Sequence, residues 1–380
     1  MRLKVYPALL VLALVVLSGA CRKSTTNQIG NSNSGTMSQN PIGGGAAQAG
    51  EKFYFRGRIN YDLKVEMTLV RDGERLSGSY FYPRVGKNID LKGSIDKSNV
   101  VEMRESDESG KDTGVFKGKW STNAMGLADI EGKWSRPDGS KETDFRVSQQ
   151  PLEFASAVRV VPKVIKEANK QARYSLDAEY PEIQGDARFD KFNREARALV
   201  TKDVAAFKTG ETGDEEESSD LADEAQTSTL DIGYDIRFAT DDLISVEFYQ
   251  AQYERGAAHG NSITVVLNYD VKNGRRLALA ELFNAKSNYL NVMSDYSIKD
   301  LREQSKKDKE SMLDEDMMKS GTTPSADNYQ ATAITRKGLW ITFDPYQVAA
   351  YAAGPQHVLI PYSALKSIIK PDGPVGALAG

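Results

Sequence analysis

Between Glu51 and Gln150 one short pattern recurs: an apolar residue, a spacer, glycine, a spacer and a second apolar residue. It reads Phe55-x-Gly57-x-Ile59, Leu76-x-Gly78-x-Tyr80, Leu91-x-Gly93-x-Ile95, Phe116-x-Gly118-x-Trp120 and Ile130-x-Gly132-x-Trp134. Period-two alternation is the mark of strands and puts the three named positions of each copy on one face. Glycine on a buried face weakens a strand and gives the core no side chain. Its repetition makes sense in a sheet that coils tightly, because the missing side chain lets the backbone bend inward without a clash. Turn signals such as Arg71-Asp72-Gly73, Asp96-Lys97-Ser98-Asn99 and Pro137-Asp138-Gly139 separate the runs. With the alternating Val65-Met67-Leu69, Val101-Met103 and Phe145-Val147 the count comes to about eight strands on hairpin-length loops, the number at which an up-and-down barrel closes on its own side chains.

The first region, residues 51–150, is therefore expected to be all-β, an antiparallel meander or small barrel. Its outward face, dense in Lys, Arg, Asp and Glu, is expected to be solvated. Tyr80, Tyr82, Trp120 and Trp134 are expected to fill the interior, the alternative being the walls of a ligand cavity.

Ahead of this region, residues 1–20 have the order of a secretory signal: Arg2 and Lys4, an apolar run from Ala8 to Leu17, then small residues. That run is shorter than the roughly 20 apolar residues a spanning helix needs. Cys21 is the sole cysteine, which rules out disulfides within the chain and thiolate metal clusters. Its place directly after the signal resembles the lipid-modified cysteine of bacterial lipoproteins. Ser18 stands where such sequences usually carry an aliphatic residue, so secretion with a free thiol is the alternative. Residues 21–50 are polar and small, a composition that cannot bury a core and suits a flexible tether with a coil dimension on the order of 30 Å. The expected location is extracytoplasmic, on a bacterial membrane through the lipid on Cys21. The formal net charge is −4 with signs mixed along the chain, so no nucleic-acid partner is expected.

From Leu152 the pattern changes. Ala157 to Ile165 and Tyr174 to Tyr180 read as strands, followed by a helix with Phe189, Phe192, Ala196, Leu199, Val200, Val204 and Phe207 at three- and four-residue spacings. Glu211 to Glu224 reads as a solvated acidic loop, since it lacks the spacing of a calcium loop. Leu230 to Phe238, Ile244 to Tyr253 and Ser262 to Tyr269 form a meander turning at Asp241-Asp242 and at Gly256 to Gly260. A helix carries Leu290, Met293, Ser297 and Leu301 on one face and runs into a solvated stretch, Arg302 to Lys309. Two strands, Ala331 to Thr335 and Leu339 to Phe343, then a third at His357 to Ile360 and a short helix complete residues 152–370 as an α+β domain. The Pro- and Gly-rich residues 371–380 are expected to be a disordered tail.

The stretches YERGAAHGNSITVVLNYDVKNGRRLALAELF and GLWITFDPYQVAAYAAGPQHVLIPYSAL carry a resemblance. They are similar to the extracytoplasmic domain shared by the lysozyme-sensing anti-sigma factor RsiV and the non-catalytic half of the peptidoglycan deacetylase PdaC. The resemblance runs from about Tyr174 to Ile369 and does not reach the barrel. It implies binding of peptidoglycan or of a lysozyme-like protein. Anti-sigma activity and hydrolysis of acetyl groups are not implied by it.

Any histidine chemistry must use one or both of only two positions, His259 and His357. Ser262, Asp270 and Asp344 could partner His259 in a hydrolase, and both histidines with Asp344 could hold zinc. No nucleophile elbow and no His-x-x-His or His-Glu-x-x-His spacing is present, so the chain is expected not to be an enzyme and to carry no metal or cofactor. A hydrolase of envelope glycans or peptides using His259 is the alternative. The turn Gly256-Ala257-Ala258-His259-Gly260 is bare enough for a partner to approach closely. Tyr253, His259, Asn261 and Tyr346 are accordingly the candidate binding residues. Tyr346, Val348 and Tyr351 read as core and turn residues, with a sugar platform as the alternative.

Overall fold

The computed structural model describes residues 50–60, 62–123, 125–210, 227–308 and 310–380. Cys21, the signal, the tether and the acidic stretch at residues 211–224 lie outside the described residues. Strands β1 (Glu51–Ile59), β2 (Leu63–Asp72), β3 (Arg75–Phe81), β4 (Ile89–Ile95), β5 (Val100–Ser106), β6 (Asp112–Thr122), β7 (Ala128–Ser135) and β8 (Thr143–Gln150) run in sequence order as a closed antiparallel barrel. It shuts where β1 meets β8, with Gly57 opposite Val147.

The repeated glycines bring neighbouring strands together. A Cβ on Gly78 would stand 1.9 Å from the Thr68 carbonyl oxygen, and one on Gly132 would stand 2.1 Å from that of Lys117. Gly118 is looser, at 2.6 Å from the Glu131 carbonyl oxygen. These contacts are with backbone, which cannot swing away. The barrel is filled as expected. Phe116 meets Tyr80 and Phe145 edge to face, and Phe53 and Phe55 do the same to Trp120. Tyr80 and Trp120 are buried, Tyr82 and Trp134 half-buried. Glu105 is the polar member of this interior, 4% exposed. Tyr80 Oη donates to its Oε2 at 2.5 Å, Trp134 Nε1 to the same atom at 3.1 Å, and Thr113 Oγ1 to Oε1 at 3.0 Å. A buried carboxylate supplied with three donors is tolerated. Burial, with Glu105 beside it, pushes the Tyr80 phenol well above its ordinary value.

The second half is α+β. Strands β9 (Arg159–Asn169), β10 (Tyr174–Gln184), β11 (Ser228–Ala239), β12 (Leu243–Tyr253), β13 (Asn261–Asp270) and the short β14 (Arg275–Arg276) form one sheet in the order β14-β13-β12-β11-β10-β9. Its pairs are antiparallel except β10 with β11, which are parallel and joined through helix α1 (Asp190–Gly210). Phe192, Ala196, Leu199, Val200, Val204 and Phe207 of α1 are buried, in the same core as Leu176, Ala178, Ile232 and Val246 of the sheet. Helices α2 (Tyr289–Lys307) and α3 (Glu315–Gly321) precede a three-stranded sheet of β15 (Thr332–Ile334), β16 (Gly338–Phe343) and β17 (Gln356–Pro361). Helix α4 (Tyr362–Leu365) and helix α5 (Gly376–Ala379) end the chain. Met293, Leu301, Ile341, Phe343 and Ile360 belong to this second core.

Two expectations are corrected and a third is refined. Residues 371–380 are not a loose tail: Val375 is fully buried in the second core, and Gly376 closes a turn so tight that a Cβ there would lie 1.9 Å from the Pro371 carbonyl oxygen. The stretch from Arg302 is solvated as expected, but α2 continues through it to Lys307, and Arg302 pairs with Glu315 of α3, which the sequence pattern missed. The barrel's charged outer face is not solvated throughout. Everything described belongs to one compact unit. On β1 and β2, Arg56 pairs with Glu66 at 2.8 Å and with Glu179 of β10, donates to the Tyr234 carbonyl and lies 3.7 Å over the Tyr234 ring. Lys64 reaches Glu179 at 3.2 Å. The cost of burying Glu179, 1% exposed, is met by two cations. Burial pushes the Glu66 carboxyl up to about 7, against the pull of Arg56.

Candidate functional site

The turn between β12 and β13 presents His259, and the residues that follow β16 come to meet it. Asp344, just past β16, accepts from the Thr264 backbone N–H of β13 at 3.0 Å, docking the loop that carries Tyr346 and Tyr351. Tyr346 takes a left-handed backbone with φ of 70° and donates its N–H to the Ala349 carbonyl at 3.0 Å. The outcome is a three-ring corner. His259 stacks on Tyr351 with centroids 4.3 Å apart, Tyr346 and Tyr351 are 5.6 Å apart, and the Tyr346 hydroxyl is 3.3 Å from His259 Nε2. His259 Nδ1 is 2.8 Å from the Gly260 carbonyl, which can only accept, so the proton sits on Nδ1 and Nε2 accepts from Tyr346. Tyr346 is 55% exposed and His259 is exposed with it.

Of the four candidate residues the structure therefore joins His259 to Tyr346. Tyr253 closes β12 and Asn261 opens β13 opposite Gln252, so these two flank the turn. Tyr351 is the ring that the sequence left among turn residues. Val348, by contrast, is core, as expected.

Beneath the corner lies a layer that the sequence did not disclose. Trp340, Thr342 and Asp344 alternate along and just beyond β16, and the layer is completed by Asp235 and Arg237 of β11, Glu247 and Tyr249 of β12, and His357 of β17. Glu247, wholly buried, is bonded by Arg237 and by the Thr342 hydroxyl, which is also 3.2 Å from His357 Nδ1. Arg237 donates to Tyr249, which donates to Asp235. Trp340 stacks on His357 at 4.8 Å, and the Arg237 guanidinium lies 5.4 Å over Trp340. Burial holds the His357 imidazole below its ordinary value despite the nearby Glu247, and pushes the Tyr249 phenol and the Asp344 carboxyl up. The polar alternation Asp235-x-Arg237 and Glu247-x-Tyr249 was the available signal, but the same alternation describes a solvent-facing sheet.

The two histidines occupy different settings, one in the exposed corner and one in the buried layer. Among the described residues no group of three or more His, Cys, Asp or Glu is placed to hold a metal. Ser262, Asp270 and Asp344 do not bond His259: Asp270 caps the turn at Asn273, and Asp344 holds Thr264.

Residues 167–262 match the family described as Deacetylase PdaC, and residues 280–363 match the Protein of unknown function (DUF3298) family. The second half is thus PdaC-like, as its turn and its Phe-x-Pro-Tyr-x-Val-Ala segment implied. The particular relative is the Peptidoglycan-N-acetylmuramic acid deacetylase PdaC of Bacillus subtilis strain 168, 27% identical over 204 residues that cover 53% of this chain and 40% of that protein. The chain therefore spans about two fifths of the length of its curated relative. Solved structures of a DUF3298 family member from Bacteroides fragilis NCTC 9343 and of a DUF3298 family protein from Pseudomonas aeruginosa PAO1 are similar at TM-scores of 0.41 and 0.42. They are 14% and 16% identical, and cover 60% and 58% of this chain and 99% and 96% of their own. These findings correct one expectation. The chain was expected not to be an enzyme for want of a catalytic motif, whereas the curated relative and the family matched at residues 167–262 both carry a deacetylase name.

Proposed function

We propose that this chain is a peptidoglycan-directed protein of the bacterial envelope, tethered through a lipid on Cys21, and that the corner of His259, Tyr346 and Tyr351 receives a sugar ring of the glycan. The carrying observation is the stacked pair of an exposed His259 ring and a half-buried Tyr351 ring, beside the Tyr346 hydroxyl. Aromatic faces take the C–H face of a sugar, while a hydroxyl and an amide at their rim meet its polar edge. Gly256, Ala257, Ala258 and Gly260 put no bulk in the way, and Asn261 is exposed where β13 begins.

The test is co-sedimentation of the protein with isolated peptidoglycan, with a lysozyme column run in parallel. Tyr351→Ala and His259→Ala should each weaken peptidoglycan retention about tenfold, the scale of one lost ring contact or hydrogen bond. Retention unchanged in both variants overturns the assignment of the corner, and capture by lysozyme alone replaces the glycan with a protein partner. Hydrolysis of an acetyl group on the same glycan is the second reading, favoured by the name of the relative. Acetate released from peptidoglycan, and abolished by His259→Ala rather than merely lowered with binding, would establish it.

A further inference from the structure

A second site lies away from the aromatic corner, between the barrel and the six-stranded sheet. A cavity of about 540 Å³ is lined on one side by the outer face of the barrel, including Lys52, Tyr54, Arg56, Glu66 and Phe81. Its other side includes Arg159, Val160, Val161 and Pro162 of β9. Successive residues of a strand point to opposite faces, so a cavity touching four in a row reaches the strand's edge as well as the sheet face, where Tyr234 and Ile236 of β11 also line it. β9 is the last strand of its sheet, and among the described residues no strand pairs with its outer side.

Which backbone groups face that outer edge follows from β10. Pro162 stands opposite Pro181, and two prolines have no N–H groups to exchange, so theirs is a non-hydrogen-bonded pair whose carbonyls point away from one another. The same phase holds two residues along, where Ile183 opposite Val160 gives its N–H and its carbonyl to the Asn193 side chain, each at 2.8 Å, and not to β9. The outer edge of β9 therefore offers the N–H and carbonyl of Val160, the carbonyl of Pro162, and the N–H and carbonyl of Val164. The missing donor at Pro162 discourages pairing with another long sheet while leaving enough for a short segment.

The charge around the cavity selects the occupant. The charged residues that line it are Lys52, Arg56 and Arg159 against the single carboxyl Glu66, in a chain whose net charge is −4. Lys52 and Arg159 are exposed, and among the described residues neither makes an ion pair: Lys52 lies 4.7 Å over the Tyr54 ring, and Arg159 donates to Gln184 at 3.2 Å. We infer that this cavity binds a short, extended, carboxylate-bearing peptide, which adds to the outer edge of β9 and sets its acidic side chains against Lys52 and Arg159. The four residues Arg159 to Pro162 cover roughly 13 Å of extended chain, so the matching segment is about four residues long.

The probe is a fluorescein-labelled, end-blocked Val-Glu-Val-Glu peptide, titrated by anisotropy into the whole protein at low salt beside its Val-Gln-Val-Gln counterpart and a backbone N-methylated Val-Glu-Val-Glu. The acidic peptide should saturate, and both controls should bind at least about tenfold more weakly. Lys52→Glu with Arg159→Glu should erase the preference for the acidic peptide while leaving the melting temperature in place. Amide exchange at Val160 should slow on adding it. Should the double variant unfold, Lys52→Gln alone must still narrow the preference. Absence of saturation, equal affinity for the Gln peptide, or binding indifferent to N-methylation overturns the inference. Loss of peptidoglycan retention in corner variants leaves these readouts untouched, so the two sites fail separately.

Discussion

The barrel and the sheet domain each enclose a carboxylate, and they do so differently. Glu105 sits inside a single closed sheet, met by three neutral donors: a phenol, an indole and a hydroxyl. Glu247 sits between two sheets and is met by a guanidinium as well as the Thr342 hydroxyl. Neutral donors leave unpaired polar groups behind if the acid is removed, but no unpaired charge. A buried cation leaves a charge, whose own desolvation is then uncompensated. The barrel can thus exchange its inner acid for a neutral acceptor at modest cost, whereas the second domain is committed to keeping its charges together.

Glu247→Ala should give the largest effect, a loss of about 3–5 kcal/mol in urea unfolding, since Arg237 is left buried and unpaired. Glu105→Gln should cost clearly less, and equal losses would erase the distinction drawn above. Next, Gly132→Val should cost about 3 kcal/mol, the upper end of overpacking, and Gly118→Val less, in the order of their 2.1 Å and 2.6 Å approaches to a carbonyl oxygen. A reversed order by thermal melting would place the barrel's tight spots elsewhere.

The seam between the two regions supplies a pH test. Glu66 has its folded value raised from 4.5 to about 7 by burial, against the opposing pull of Arg56. A raised value means the stabilisation from Glu66 is fully present below about pH 4.5 and lost as the pH climbs through 7. Stability should therefore fall between pH 5 and 8 by an amount on the order of 2 kcal/mol, read from urea unfolding, and Glu66→Gln should flatten that slope. An unchanged slope in the variant would assign the dependence to groups other than Glu66. The smallest effect belongs to His259→Ala, which should shift stability by less than about 0.5 kcal/mol, as an exposed turn residue does. Unfolding by this substitution would make the corner structural.

The barrel was legible because its constraint is local: period-two alternation and glycine both act within one strand and its neighbour. The strands of the second domain were legible for the same reason, and β11 and β12 fall within two residues of where the pattern put them. What the pattern could not carry was the far side of each sheet. Arg56 and Glu66 look like solvated barrel residues, and Asp235, Arg237 and Glu247 look like a wet sheet face, until the second body that covers them is in place. His259 was recognisable as an exposed turn residue, but its ring partner Tyr346 comes from 87 positions away, and Tyr351 lies on a turn with no periodicity to mark it. Residues 371–380 escaped because Val375, with Leu378 and Ala379 packed beside it, anchors them over too short a stretch to show a period.

Arg56 also has a mechanical consequence. It lies on β1, which is laddered to β2 from Glu51 to Ile59 and to β8 from Tyr54 to Ile59. A pull on the segment ahead of Glu51, directed along β1, loads the rungs of both ladders side by side, as a shear, since they run across the strand. The guanidinium pins the middle of that strand to the sheet domain, so the load is shared between the barrel and a second body. Single-molecule stretching from the N-terminal side should then show one high rupture force, lowered by Arg56→Ala, and a force unmoved by that substitution would mean the barrel bears the load alone.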